Sequence, residues 1–163
     1  MKIRRSLIAA GLKAAAVMMI AGASMAGGPA AASGDYAFIT TTDYITGSSS
    51  VIYIDQSYSR ETDLEGVGSD AISRWYEGLL YVVNRSGGDN IQILDPENDF
   101  STTDQFSVGN GSNPQDIAFI SATKAYVSRY DSNDLWVVNP STGAHTGTID
   151  LSSMADSDGL CEM

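Results

Sequence analysis

From about residue 35 onward, short runs of β-branched and aromatic residues alternate with clusters rich in Gly, Asn, Asp, Ser and Pro. Such runs, roughly four to eight residues long and bounded by turn-forming residues, are typical of β-strands. No segment shows a convincing helical period of apolar residues. The pattern therefore predicts an all-β domain over residues 35–163.

The strand-like runs recur at a fixed interval. Tyr81 and Tyr126 lie in matching runs 45 residues apart, and Pro96 and Pro140 end the next matching runs 44 residues apart. Two landmarks thus give one period of about 45 residues, which indicates a repeat architecture. The matching runs are residues 80–85 and 91–96 in one copy, and residues 125–130 and 135–140 in the next.

A weaker copy precedes these two. Tyr36–Thr40 stands one period before the first aromatic run, and Val51–Asp55 matches the run that follows it. A short element ahead of each unit also recurs, because Ser69–Ile72 resembles Gln115–Ala118. The sequence therefore predicts about two and a half to three repeat units.

Each unit is predicted to form four short strands. In the best-preserved copy these are Asp116–Ile120, Ala125–Tyr130, Leu135–Asn139 and Thr146–Leu151. A turn is expected at residues 139–143, because Pro140 fixes φ and Gly143 permits a positive φ. The third strand is apolar at successive positions, which indicates burial on both faces. Radially stacked sheets of a β-propeller provide such burial, whereas a β-sandwich, the alternative, requires no fixed period.

The chain resembles the YVTN-type β-propeller repeat family at these residues. The similar segments are Tyr81-Val82-Val83-Asn84, more loosely Tyr126-Val127-Ser128-Arg129, the strand ends Asp95-Pro96 and Asn139-Pro140, and Asn113–Ala118. The resemblance covers roughly residues 36–163. It implies blades of an exported or surface protein, in a family that is mostly seven-bladed and often has no assigned chemistry.

One position departs from that family. Cys161 stands 47 residues after Pro114, where the family has proline at the start of the next inner strand, and the sequence stops two residues later. Closed propellers usually need about four to eight blades. We therefore expect an N-terminal fragment of a longer propeller, with an apolar face left open at its last blade.

The first 26 residues are predicted to be a secretory signal peptide. They contain four basic residues and no acidic one, then the apolar run Ala14–Ala23, with small residues at Ser24–Ala26 and again at Ala30–Ala32. A cut as late as residue 32 is the alternative, and residues 27–34 are expected to form a flexible linker before the partial propeller domain at 35–163.

Two further readings of this leader stay open. A membrane anchor is disfavoured, because the unbroken apolar run is shorter than the ~20 residues that span a bilayer and Lys13 interrupts any longer one. Arg4 and Arg5 are compatible with the twin-arginine export route as well as with general secretion. Both routes predict a periplasmic, extracellular or cell-surface bacterial protein.

Charge and cysteine content narrow the function classes. Without residues 1–26 the chain has five basic and 20 acidic residues, a net charge of −15. Such a charge repels nucleic acid and anionic lipid, so neither is an expected partner. Cys161 is the only cysteine, so no intrachain disulfide can form.

The candidate chemistry is sparse. His145 is the only histidine and is expected in a surface turn, where it supports neither a catalytic triad nor, with one cysteine, a zinc site. The alternating carboxylates after residue 94 resemble the start of a calcium loop, but Phe100 stands where glycine is needed. We therefore predict no catalytic residue, no cofactor and no firm metal site.

Asp70 and Asp116 are the weak exceptions. Each is expected at the start of an innermost strand, where it could line a central channel and hold a cation, or could serve as a structural cap. A ring of such acids is needed for a cation site, and only two copies are visible.

Two functions follow. The first is an exported, non-enzymatic binding or scaffold propeller that contacts a protein or a small ligand through its blade-edge loops. The second is the N-terminal part of an exported propeller enzyme, of lactonase or quinoprotein type, whose catalytic residues lie in further blades. These blades would contribute several channel-facing His, Glu or Asn residues, which the non-enzymatic function does not require.

Overall fold

Alternating turn-formers and β-branched runs fold into twelve short strands in a computed structural model that describes residues 14–20, 35–54, 58–154 and 159–160. The strands are β1 Ala14–Ile20, β2 Tyr36–Thr42, β3 Gly47–Tyr53, β4 Arg60–Val67, β5 Ala71–Tyr76, β6 Leu79–Asn84, β7 Asn90–Asp95, β8 Ser101–Ser107, β9 Pro114–Ser121, β10 Lys124–Arg129, β11 Asp134–Asn139 and β12 Ala144–Asp150. The helical content of the described residues is one 3-10 turn, Pro96–Asn98.

Consecutive strands form three antiparallel sheets of four strands each. Their orders are β1-β2-β3-β4, β5-β6-β7-β8 and β9-β10-β11-β12, so each sheet is a simple meander. One sheet corresponds to one repeat of about 45 residues. The prediction of an all-β protein built from four-stranded antiparallel blades is confirmed.

The sheets stack face to face, and an apolar core fills each of the two interfaces. Strand β6 shows this directly, because its successive side chains point to opposite faces. Leu80 and Val82 belong to the core shared with the first sheet, while Tyr81 and Val83 belong to the core shared with the third. The middle sheet is therefore buried on both sides, as a blade between two others must be.

The first interface is rich in aromatic rings. Phe38 stacks on Phe100 with ring centroids 5.7 Å apart, and Tyr36 meets Phe100 edge-on at 5.3 Å. Phe100 is the residue that interrupts the calcium-like pattern, and it is only 1% exposed. Its position in the sequence is therefore explained by core packing.

The prediction of a doubly buried third strand holds for β7 and is wrong for β11. In β7 the four central residues are buried, whereas in β11 only Val138 is buried and Leu135 to Val137 are partly exposed. Val138 faces the middle sheet, and no sheet among the described residues covers the other face of β11. An apolar run signals burial on both faces only when both neighbouring sheets are present.

The turn between β11 and β12 forms as predicted. The amide of Thr142 donates to the carbonyl of Asn139 at 3.2 Å, and Gly143 has φ +67°. A β-carbon at Gly143 would also collide with Phe106 of β8. Glycine is therefore required both by the positive φ and by the lack of space. Strand β12 begins at Ala144, two residues earlier than expected, which places His145 in the strand instead of the turn.

The N-terminal predictions are only partly within the described residues. Residues 1–13 and 21–34, which include both cleavage motifs and the linker, lie outside them, as does Cys161. Ala14–Ile20 forms the first strand of the first sheet and pairs with Tyr36–Thr42. Within the described ranges, no helix is both long and apolar enough to cross a membrane.

Burial in the middle sheet yields a direct test. Leu94 is fully buried, so Leu94→Ala is expected to lower the free energy of unfolding by roughly 2–5 kcal/mol. Ile120 is 63% exposed, so Ile120→Ala should change it by less than about 0.5 kcal/mol. Urea unfolding followed by tryptophan fluorescence measures both, and equal losses would contradict the stacked arrangement.

Candidate functional site at the loop end of the blades

Five connections gather at one end of the sheets, here called the loop end. In a meander, alternate connections lie at the same end, so the second-to-third strand hairpins join the links between sheets there. Two backbone bonds confirm the grouping, since the amide of Val108 donates to the carbonyl of Asp89 at 3.0 Å and the amide of Arg85 donates to Asp70 at 2.8 Å. The loop end comprises residues 43–46, 68–70, 85–89, 108–113 and 130–133.

Asp89 fixes the connection between the second and third sheets. Its two carboxylate oxygens accept from the amides of Gly111, at 2.7 Å, and Asn113, at 2.9 Å. Asp89 is 9% exposed and adopts φ +51°, a conformation that aspartate tolerates better than most residues. A single turn residue of one blade thus positions the start of the next.

Asp70 and Arg85 form a second link at this end. Arg85 Nη2 lies 2.6 Å from Asp70 Oδ1, and Arg85 Nη1 donates to Gln115 Oε1 at 3.2 Å. The guanidinium therefore connects a carboxylate of the second sheet with an amide of the third. The amide of Ser86 adds a bond to Asn113 Oδ1 at 3.0 Å.

Asp116 forms an ion pair that bridges the second and third sheets, and its carboxylate is almost completely buried. Its carboxylate meets Arg74 of β5 through two contacts, Nε to Oδ1 at 2.9 Å and Nη2 to Oδ2 at 3.1 Å. Asp116 is 1% exposed, while the Arg74 side chain is 32% exposed. A bidentate pair of this kind is strong and directional, so it aligns the innermost strands β5 and β9.

The structure brings Asp70 and Asp116 to neighbouring sheets but not to equivalent positions. Asp116 pairs with Ser128, whereas the counterpart of Ser128 one period earlier, Val83, pairs with Ile72. Asp116 therefore corresponds to Ile72, two residues beyond Asp70, so the similarity of the two Asp-containing segments does not reflect equivalent places in the blade.

Each of the two carboxylates is bonded to an arginine, which supports the structural cap more than the cation ligand. Within the described stretches, no three His, Cys, Asp or Glu side chains come together as metal ligands would. Of the carboxylates after residue 94, Asp95 accepts from the amide of Glu97 at 2.9 Å, and Asp99 is exposed.

Equivalent positions of the second and third blades hold different polar clusters, which the sequence did not single out. In the second, Asn84 Nδ2 on β6 donates to Asn90 at 2.8 Å and to Gln92 at 3.2 Å, both on β7. Gln92 also donates to the carbonyl of Gly66 at 3.1 Å, which ties the cluster to the first sheet. The amide-rich cluster thus holds two blades together.

In the third blade the corresponding residues are Arg129, Asp134 and Trp136. Arg129 Nη1 lies 2.7 Å from Asp134, and its guanidinium sits over the Trp136 ring at 4.4 Å. His145 stacks on the same ring with centroids 4.0 Å apart, and its Nε2 lies 3.0 Å from Thr148 Oγ1. This exposed histidine is occupied by stacking and by a hydroxyl contact.

The hairpin between β2 and β3 presents the most exposed apolar side chains of the described residues. Tyr44 is 80% and Ile45 is 83% exposed. The tip is held by Asp43, whose Oδ1 accepts from the amides of Thr46, at 2.7 Å, and Ile45, at 3.0 Å. These bonds hold the pKa of Asp43 below its ordinary value. Tyr44 and Ile45 therefore stand on a preorganised turn.

Comparisons with known proteins give a structural likeness but no matching family. No family model matches the chain, and no curated protein matches it significantly. Among solved structures, it is similar to glutaminyl cyclase of Myxococcus xanthus, with a TM-score of 0.46 and 17% identity, over 73% of this chain and 50% of that chain. The chain thus spans about half the length of that structure, and the likeness carries no inference about activity.

The fold defines the class of the protein, which is an all-β protein built from propeller-type blades. The YVTN-type family within that class is matched by no family model and stays a prediction from the strand motifs.

The role of Asp89 can be tested with Asp89→Asn. Asparagine tolerates the positive φ but replaces one carboxylate oxygen with a donor, so at least one amide bond is lost. We expect a loss of about 1–3 kcal/mol in the free energy of unfolding, with faster hydrogen exchange at Gly111 and Asn113. Glu97→Ala, on an exposed turn, is the control and should leave both unchanged. Unaltered exchange in Asp89→Asn would contradict the assigned role.

The hairpin tip is expected to respond to acid. Because the pKa of Asp43 is lower in the folded hairpin than in the unfolded chain, ionised Asp43 favours the folded tip above pH 3.8, and this contribution is lost as the pH falls through the lowered value. The amide NMR signals of Ile45 and Thr46 should titrate together below pH 3.8, and not in Asp43→Asn. The methyl signals of Val82 serve as the control, because they report global unfolding. A titration of the tip above the ordinary pKa of aspartate would contradict the hydrogen bonds to Asp43.

Proposed function

We propose that the protein is an exported, non-enzymatic binding or scaffold module of β-propeller type in the bacterial periplasm or at the cell surface. The basic and then apolar leader supports export, and the net charge of −15 without the leader fits a soluble extracytoplasmic domain that avoids nucleic acid and anionic lipid. The stacked blades supply a rigid support for loops at one end.

The observation that carries the binding function is that some side chains of the loop end hold the blades together while others stay exposed. Asp89 and Arg85 at this end bind the start of the third sheet, through backbone amides and Gln115. The most exposed apolar side chains at this end are Tyr44 and Ile45, which project from a turn fixed by Asp43. Preorganised aromatic and aliphatic groups bind with little loss of conformational entropy, so this tip is suited to a partner's apolar pocket.

We further propose that these blades belong to a larger ring of the YVTN type. The support is the outer face of the third sheet, where Tyr126, Leu135, Val137 and Ile149 face away from the middle sheet. The equivalent face of the middle sheet is covered by a neighbouring blade, and a further blade of the same repeat would cover this one in the same way.

In vivo crosslinking tests the proposed function. The full chain, including its leader, is produced in a bacterial host with a photoreactive phenylalanine at Tyr44 or, as the control, at Glu97, which is exposed at the opposite end. We expect the periplasmic protein to have the mass of a chain cut after residue 26 or 32. We expect a discrete adduct from position 44 that Asp43→Ala weakens several-fold, and none from position 97.

Two results would contradict the proposal. Retention of an uncut chain in the cytoplasm would overturn the export. Equal labelling from both positions, unaffected by Asp43→Ala, would show that the tip is not a specific contact surface.

A further inference from the structure

The link between the second and third sheets contains the only Asn-Gly dipeptide of the sequence, Asn110-Gly111. The dipeptide forms the centre of a tight turn, because the amide of Ser112 donates to the carbonyl of Gly109 at 3.2 Å. Gly111 has φ +69°, the positive value that the third residue of a type II turn requires. Asn110 is exposed. The turn therefore selects a glycine directly after an exposed asparagine.

An asparagine followed by glycine is chemically labile. The backbone nitrogen of the glycine loses its proton and attacks Cγ of the asparagine side chain. A C–N bond forms, ammonia leaves, and a succinimide ring remains. Water then opens the ring at one of its two carbonyl carbons, which gives aspartate or isoaspartate. Glycine favours the cyclisation because no side chain crowds its nitrogen.

In the folded chain the attacking nitrogen is held by Asp89. The amide of Gly111 donates to Asp89 Oδ2 at 2.7 Å, and Asp89 Oδ1 accepts from the amide of Asn113 at 2.9 Å. Asp89 is only 9% exposed, so water screens its charge weakly. A negative charge at this distance opposes removal of the amide proton, and the attack would break the hydrogen bond.

We propose that Asn110 is a site of spontaneous deamidation that Asp89 protects. The site is inert while the Gly111 amide is bonded to the carboxylate, and it reacts when this bond opens. Water is the only co-reactant. Asp89 lies in a hairpin of the second sheet and Asn110 in the link to the third, so the rate of the reaction reports how often the joint between these two blades opens.

Conversion of Asn110 weakens the same joint. Isoaspartate routes the main chain through the side-chain carbon, which adds a methylene between Gly109 and Gly111. Either product adds a negative charge next to an amide that is bonded to the Asp89 carboxylate, and like charges repel. A converted chain therefore holds the start of the third blade less firmly, and its amide at Asn113 should exchange hydrogen faster.

The experiment follows Asn110 in the purified full chain during incubation in a mildly alkaline buffer, which favours deprotonation of backbone amides. Peptide mass spectrometry measures the conversion of amide to acid, and labelling by an isoaspartate methyltransferase identifies the isoaspartate product. We expect the folded protein to convert roughly ten-fold more slowly than the same chain unfolded in guanidinium chloride.

Three variants separate the role of Asp89 from general stability. Asp89→Gly removes both acceptors and tolerates φ +51°, so it should convert roughly ten-fold faster than the folded wild type. Leu94→Ala is the matched control, because it loses core packing and keeps Asp89, and it should convert at the wild-type rate. Asn110→Gln should convert little, because a glutamine would have to form a larger ring.

Four results would overturn the proposal. Equal rates in folded and unfolded wild-type protein would show that the Gly111 amide is not protected, and this comparison stands even where Asp89→Gly fails to fold. An unchanged rate in Asp89→Gly, or an equal acceleration in Leu94→Ala, would remove the role of Asp89. An intact Asn110 in the unfolded chain would remove the site itself. Unchanged exchange at Asn113 after conversion would show that the joint is not weakened.

Discussion

The structure depends on the burial of a four-stranded sheet on both of its faces. In β6 the side chains of Leu80 and Val82 enter one core while Tyr81 and Val83 enter the other, so neither face of this sheet is compatible with water. A sheet of this kind is stable only between two others. The period of about 45 residues is the length needed to build one such sheet and return to the next.

Apolar burial alone does not fix how neighbouring sheets are aligned, because it is not directional. The alignment comes from polar groups placed where blades meet. Asp89 positions the connection to the third sheet, and the Arg74–Asp116 pair locks the innermost strands. Removing one partner of a buried pair would leave an uncompensated charge, so such pairs favour one arrangement over slipped alternatives.

The sequence predicted the blades well because strand periodicity and turn residues are local signals. It identified the matching runs, the turn at Gly143 and the four-strand unit. It could not show that β11 is half-covered, since burial depends on a neighbouring sheet. It also aligned Asp70 with Asp116, whereas in the structure Asp116 corresponds to Ile72, because the register of β9, with its two irregularities, cannot be read from composition. The sequence analysis missed the hydrogen bonds by which Asp43 holds the hairpin tip, because a single Asx turn resembles any polar loop in sequence.

The predicted leader and the first sheet place compatible demands on the same residues. An export signal needs an apolar, uncharged run, and Ala14–Ile20 is one. The same properties suit a strand that pairs with β2, whose sequence from Tyr36 to Thr42 also contains no charge, proline or glycine. Charges and prolines protect exposed sheet edges from unwanted pairing, so a strand without them is suited to the central position that β2 occupies between β1 and β3.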